Sequence, residues 1–189
     1  METNKLYIKN MVCDRCKMVV KSELEKIGII PLNVDLGEVL LSNPLDEHRK
    51  DLIQKALTPL GFELLDDKKS RLMEQIKTLI IELVHYNDSA LKTNLSDYLS
   101  DKLHHDYNYI SNLFSETEGI TIEKYFIAQK IEKVKELLVY NELSLNEIAF
   151  QLNYSSTAHL SNQFKKVTGY TPSRFKEEKA KRRKPLDKV

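Results

Sequence analysis

The chain has 189 residues, 29 Lys/Arg against 28 Asp/Glu, and 41% hydrophobic residues. That length allows one or two domains, each able to bury a core of its own. No apolar run approaches the ~20 residues needed to cross a bilayer, and the start Met1-Glu2-Thr3-Asn4-Lys5 lacks a signal peptide. A cytoplasmic location is therefore expected.

The net charge of +1 hides an uneven distribution. From Lys165 to the end stand ten Lys/Arg against three acids, which leaves nineteen against twenty-five before it. A tail at 179–189, with Lys179, Lys181, Arg182, Arg183 and Lys184, suits phosphate contact. Read without context, the same run is a solvated, frayed terminus. The two cysteines are spaced Cys13-x-x-Cys16. In a chain of this kind the spacing points to metal or redox chemistry rather than a structural disulfide.

Taken in order, residues 5–9 alternate Leu6 and Ile8 inward with Tyr7 outward, the pattern of a half-buried strand. After Cys16 comes a helix with Val19, Val20, Leu24 and Ile27, stopped by Gly28. Residues 32–35 and 38–41 flank Gly37 as strand, turn and strand. A second helix is expected over 45–60, through Leu45, Leu52, Ile53, Ala56, Leu57 and Leu60. Gly61 ends it, and 62–65 forms a last short strand. The order β-α-β-β-α-β is that of the ferredoxin-like unit.

With Met11-x-Cys13-x-x-Cys16 leading into its first helix, this stretch resembles the heavy-metal-associated domain over about residues 4–67. That domain occurs in copper chaperones and metal-pumping ATPases, so Cys13 and Cys16 are its expected metal ligands. Asn10 stands where the family usually has Gly. A helix N-terminus lowers a thiol's pKa and favours the thiolate. Two thiolates suit a soft, low-coordination ion such as Cu(I), whereas structural Zn(II) wants four ligands. Asp14 could supply an oxygen ligand or simply be solvated at the helix start. Met11 is a packing residue or a weak extra ligand. A redox role and a relic motif stay open beside the metal reading.

Residues 66–70 make a short polar joint, and an amphipathic helix is expected over 71–86, carrying Leu72, Ile76, Leu79, Ile80 and Leu83. Asn94 or Ser96 opens the next helix. His104-His105-Asp106 then makes a turn into a helix over 107–115. A long helix over 122–139 leads to Ser144-x-x-Glu147, a capping box, and to a helix with Leu145, Ile148, Ala149 and Leu152 on one face. Asn153 tolerates the left-handed conformation of a tight turn. Ser155 or Ser156 can cap a further helix with Ala158, Leu160, Phe164 and Val167 inward. Gly169 closes that helix, and Thr171-Pro172 opens another.

Two short helices about a sharp turn form a helix-turn-helix. The residues Ile148-Ala149, Tyr154-Ser155, His159-Leu160-Ser161, Phe164-Lys165 and Gly169-Tyr-Thr-Pro-Ser173 resemble the second such unit of AraC/XylS-type transcription regulators. The family has Gly where Asn153 stands, and commonly Arg where Lys130 stands. The resemblance implies two helix-turn-helix units that present their recognition helices to successive major-groove segments of double-stranded DNA. It implies base-facing Thr157, His159, Ser161 and Asn162, with Lys165 and Lys166 near phosphate. The corresponding residues of the first unit are Asn108, Tyr109, Ser111 and Asn112. That first recognition helix carries no Lys or Arg, so a weaker grip is expected of it.

The fold class expected is therefore α+β. A ferredoxin-like domain (1–68) precedes an all-α domain with two helix-turn-helix units (69–178) and a basic tail (179–189). No nucleophile–base set, phosphate loop or carboxylate pair suggests an enzyme. The expected function is transcription regulation responsive to a soft metal such as Cu(I), with homodimerisation through a shared ion as one option. The alternative is a regulator whose N-terminal half is a redox or protein-interaction module.

Overall fold

The computed structural model describes residues 5–65, 68–86 and 93–177. Asp66, Asp67 and the basic tail lie outside them. Contacts divide the chain into Met1–Thr78 and Leu79–Val189, whereas the sequence places the division after residue 68.

The first unit runs β1 (Lys5–Lys9), α1 (Asp14–Lys26), β2 (Pro31–Asp35), β3 (Glu38–Leu41), α2 (Glu47–Leu57), a 3-10 turn (Thr58–Leu60) and β4 (Glu63–Leu64). The strands form one sheet in the order β2-β3-β1-β4. All neighbours are antiparallel, with Leu6 opposite Val39 and Ile8 opposite Leu64. Alternation sends Leu6, Ile8, Val39 and Leu41 to one face, where they meet Val20 and Leu24 of α1 and Ile53 and Leu57 of α2. Met11 is buried with this core, so it packs. Helix α2 starts at Glu47 rather than 45 because Asp46 caps it, accepting from Arg49 N–H at 2.7 Å, and residues 58–60 of the expected helix form the 3-10 turn. Val19, Leu52 and Leu60 are exposed rather than inward.

Helix α3 (Lys68–Ile81) starts three residues before Arg71 and is followed by a π-helical turn, Glu82–Tyr86. Residues 68–70 of the expected joint are thus helical. Arg71 donates to the Leu65 carbonyl at 3.0 Å and lies over the Tyr7 ring, 5.0 Å from its centroid. Gly37 has φ +76, and a Cβ there would meet Thr78 Oγ1 at 3.1 Å. Glycine serves both the turn and this close approach.

The second unit contains α4 (Leu95–Leu103), α5 (Tyr107–Glu118), α6 (Ile122–Tyr140), α7 (Leu145–Gln151), α8 (Thr157–Thr168) and α9 (Pro172–Glu177). Helix α6 is its spine: it contacts α5, α7, α8, α9 and the π-helical turn. Ile131, Val134 and Leu138 of α6 bury against Ile148, Ala149, Leu160, Phe164 and Phe175. The Phe164 and Phe175 rings meet edge to face at 5.5 Å. Val167 is 48% exposed and Ala158 is exposed, so neither is the inward residue expected of α8. The buried residues of α8 are Leu160 and Phe164, one helical turn apart at i and i+4. Among the described residues, no helix is long and apolar enough to cross a membrane.

Candidate nucleic-acid interface and dithiol site

Each helix pair is built from local signals. In the second, Ser144 Oγ accepts from Glu147 N–H while the Glu147 carboxylate accepts from Ser144 N–H at 2.7 Å, a complete capping box. Helix α7 stops at Gln151, and Asn153 takes φ 54, the left-handed turn that Asn tolerates. Ser156 then caps α8, its hydroxyl accepting from His159 N–H at 3.1 Å. In the first pair, His104 supplies the left-handed residue (φ 55). Asp106 caps α5 through Asn108 and Tyr109 N–H at 2.9 and 3.2 Å. Asn94 caps α4 by backbone position without a side-chain hydrogen bond.

On α8, His159, Asn162, Lys165 and Lys166 are exposed, and Thr157 and Ser161 are half-buried. Positions 157, 161, 162 and 165 share one helical face. That face can present hydroxyl, amide and ammonium groups together, the chemistry that reads base edges and neutralises phosphate. His159 is tethered as well as exposed: its Nδ1 pairs with Ser155 Oγ at 3.1 Å and its ring abuts Tyr154 at 5.3 Å. On α5, Asn108, Tyr109 and Asn112 are exposed and Ser111 is half-buried.

Lys130 has a structural role that its sequence position does not reveal. Its ammonium lies 3.9 Å from the centroid of the Tyr154 ring in the α7–α8 turn, and Tyr154 OH donates to Gln163 Oε1 of α8 at 2.7 Å. Burial lowers the Lys130 pKa to about 8. Lys130 thereby braces α8 from α6, and nothing local in the sequence signals it.

Cys13 and Cys16 are free, half-buried thiols with sulfurs 3.4 Å apart. Cys13 occupies the N-cap of α1 with extended backbone (φ −156), and its carbonyl accepts from Cys16 N–H at 2.9 Å. Burial pushes the Cys16 thiol pKa up, against the lowering expected from the helix N-terminus. Desolvation here outweighs the backbone donors that favour the thiolate. Asp14 pairs with Lys17 at 2.8 Å. Among the described residues, no cluster of three or more His, Cys, Asp or Glu could hold a metal. The donor set is thus two soft sulfurs, which fits a two-coordinate soft ion and not four-coordinate Zn(II).

Three kinds of comparison bear on this architecture. A family model described as a helix-turn-helix domain matches residues 99–178. The xylose operon regulatory protein of Escherichia coli K12 is 27% identical over 139 residues, 73% of this chain and 35% of that protein. An uncharacterized HTH-type transcriptional regulator of Bacillus subtilis, YtdP, is 25% identical over 117 residues, 61% of this chain and 15% of that protein. The chain thus spans about a third or less of these relatives' length. The C-terminal domain of AraT, a response regulator from Geobacillus stearothermophilus, superposes with a TM-score of 0.50. It is 23% identical, covering 60% of this chain and 89% of that domain. These relatives are regulators rather than enzymes.

Proposed function

We infer that this chain, in which residues 99–178 form a helix-turn-helix DNA-binding domain of the AraC/XylS type, is a transcription regulator whose N-terminal unit senses a soft metal ion. Helix α8 carries the DNA reading: Thr157, Ser161 and Asn162 face the bases, and Lys165 and Lys166 meet the backbone. The exposed polar face of a helix capped and buried on its other side by Leu160 and Phe164 supports this reading most directly. Cys13 and Cys16 would hold a Cu(I)-like ion as thiolates at the β1–α1 loop of a ferredoxin-like, heavy-metal-associated unit. The metal would supply a charge and a coordination demand at that loop. Cys13, which ends the loop in extended backbone, and Cys16, anchored in the first turn of α1, set the two donors.

One observation favours a second reading of the same pair. Sulfurs 3.4 Å apart need to close by about 1.4 Å to reach disulfide bonding distance, which suits a thiol–disulfide switch in place of a metal sensor.

Selection of bound fragments from randomised duplex tests the DNA reading. A recurrent base motif is expected, with Asn162→Ala degrading preference at one base pair by about 1–3 kcal/mol. A selection that returns no motif overturns it. Competition for Cu(I) against a chelator, with and without the double Cys13→Ser/Cys16→Ser change, tests the metal arm. Equal retention by both proteins rules out Cys13 and Cys16 as the ligands.

A further inference from the structure

We propose that the chain reads DNA with α8 alone, so each bound copy covers one major-groove segment while α5 stays out of the groove. The proposal rests on the DNA-binding reading above and concerns how that interface is built.

The two helix-turn-helix units have matching geometry but opposite charge. Residues 95–118 hold five acids, Asp97, Asp101, Asp106, Glu116 and Glu118, against Lys102 as their one Lys or Arg. Residues 145–168 hold Glu147 against Lys165 and Lys166. All these side chains are exposed. A duplex surface is a dense row of phosphates, and sequence-independent affinity comes from cations that displace its counterions. The first unit supplies almost none and adds repulsion.

The difference is sharpest where a recognition helix meets DNA. The N-terminal residues of such a helix approach the base edges and the flanking phosphates. At that point α8 has the neutral cap Ser156, while α5 has Asp106. The Asp106 carboxylate accepts from Asn108 and Tyr109 N–H. It occupies the donors that a phosphate would use at a helix start and leaves a negative charge in their place. The amides of Asn108 and Asn112 could still pair with adenine in isolation, but they lie on a helix whose entry end repels the backbone. At the far end of α5, Glu116 and Glu118 oppose phosphate where α8 carries Lys165 and Lys166. The α5 start is also tied to the spine, since Tyr107 OH donates to the Glu123 carboxylate of α6.

The test uses the full chain, a selected duplex and a bound stoichiometry measured by sedimentation. Asn108→Ala/Asn112→Ala, which alters two exposed side chains, is expected to change affinity by less than about twofold and leave base preference intact. Asn162→Ala is expected to lose about tenfold at its base pair. Asp106→Asn keeps a capping acceptor and is expected to tighten binding to all duplexes at low salt. Base-modification interference should map one major-groove segment per bound copy. Losses from the α5 double variant as large as those from Asn162→Ala, weaker binding by Asp106→Asn, or two segments per copy would each overturn the single-reader proposal while leaving DNA reading intact. If every duplex binds alike and no variant matters, both fall together.

Discussion

The main-chain N–H of Asn10 donates to the Glu74 carboxylate at 2.9 Å, across 64 residues of sequence. Asn10 takes φ 70 in the loop that leads to Cys13, and its side-chain amide donates to the Gly61 carbonyl at 2.9 Å. Its carbonyl lies 3.9 Å from Cys16 Sγ. One residue therefore ties the β1–α1 loop to α3 and to Gly61, which closes the 3-10 turn after α2. Asn meets two demands here: it tolerates the left-handed backbone and it supplies an amide donor that Gly lacks.

Glu74 is only 8% exposed, so removing its carboxylate orphans a partly buried donor. Glu74→Ala should destabilise the protein by about 1.5–3 kcal/mol, the range for a hydrogen bond to a charged acceptor. Glu74→Gln keeps an acceptor and should lose less. Urea unfolding followed by far-UV circular dichroism on the full chain measures both. Equal, negligible losses would show that the loop does not depend on α3.

Lys130 gives a pH signature. The Tyr154 ring favours its charged form, but burial wins and holds the pKa near 8. In the unfolded chain a lysine titrates near 10.4. Between those values the unfolded state binds the extra proton, so stability rises with pH across this window. The burial penalty is present in full below pH 8 and gone above about 10.4. Relative to Lys130→Met, the wild type should gain on the order of 1–2 kcal/mol between pH 8 and 10, discounted for partial exposure. Paired urea melts at pH 7, 8, 9 and 10 measure it. A constant difference between the two proteins would mean that Lys130 does not titrate in that range.

The local features of this fold are legible in the sequence because their causes are local. Ser144 and Glu147 sit three apart, and Asn153 occupies a turn that few other residues accept. What stays hidden depends on partners far along the chain. Helix α6 reads as apolar through Ile131, Val134 and Leu138, yet it also buries Gln129, Glu132 and Lys135. Gln129 bonds His85 Nε2 at 3.1 Å and Tyr125 OH at 3.1 Å, and Glu132 pairs with Lys135 at 2.6 Å. The His85 side chain is only 4% exposed and lies against α6 beside Glu136. The Cys16 pKa followed the same logic. The helix N-terminus is visible in the sequence, whereas the burial that outweighs it is set by the folded core.

Lys165 and Lys166 end α8 on its exposed side. As phosphate contacts they should act on every duplex alike. Each Lys→Ala change should flatten the plot of log affinity against log salt by about one unit of slope, with base preference unchanged. Fluorescence anisotropy at a series of salt concentrations reads the slope. A change in base preference without a change in slope would place these lysines at base edges instead.

The last prediction joins the two units by thermodynamics rather than by geometry. A metal can alter DNA affinity only to the extent that the loaded and unloaded proteins differ in their free energy of binding DNA. Cys13 and Cys16 are half-buried, and among the described residues they belong to no cluster of three or more His, Cys, Asp or Glu. A soft ion on this pair is therefore open to thiolates from a second copy of the chain. A shared ion would bring two α8 helices to one duplex and raise affinity through effective concentration, without any new contact to DNA. Under anaerobic, reducing conditions Cu(I) should convert the protein to a dimer in sedimentation and tighten DNA binding by roughly 5- to 150-fold. Specific duplex should in turn tighten Cu(I) binding by the same factor, because the coupling is reciprocal. The double Cys13→Ser/Cys16→Ser protein should keep its basal DNA affinity and lose both effects. If Cu(I) leaves wild-type DNA affinity unchanged while a disulfide reagent alters it in a way that thiol reductant reverses, the pair is a redox switch and the metal reading is wrong.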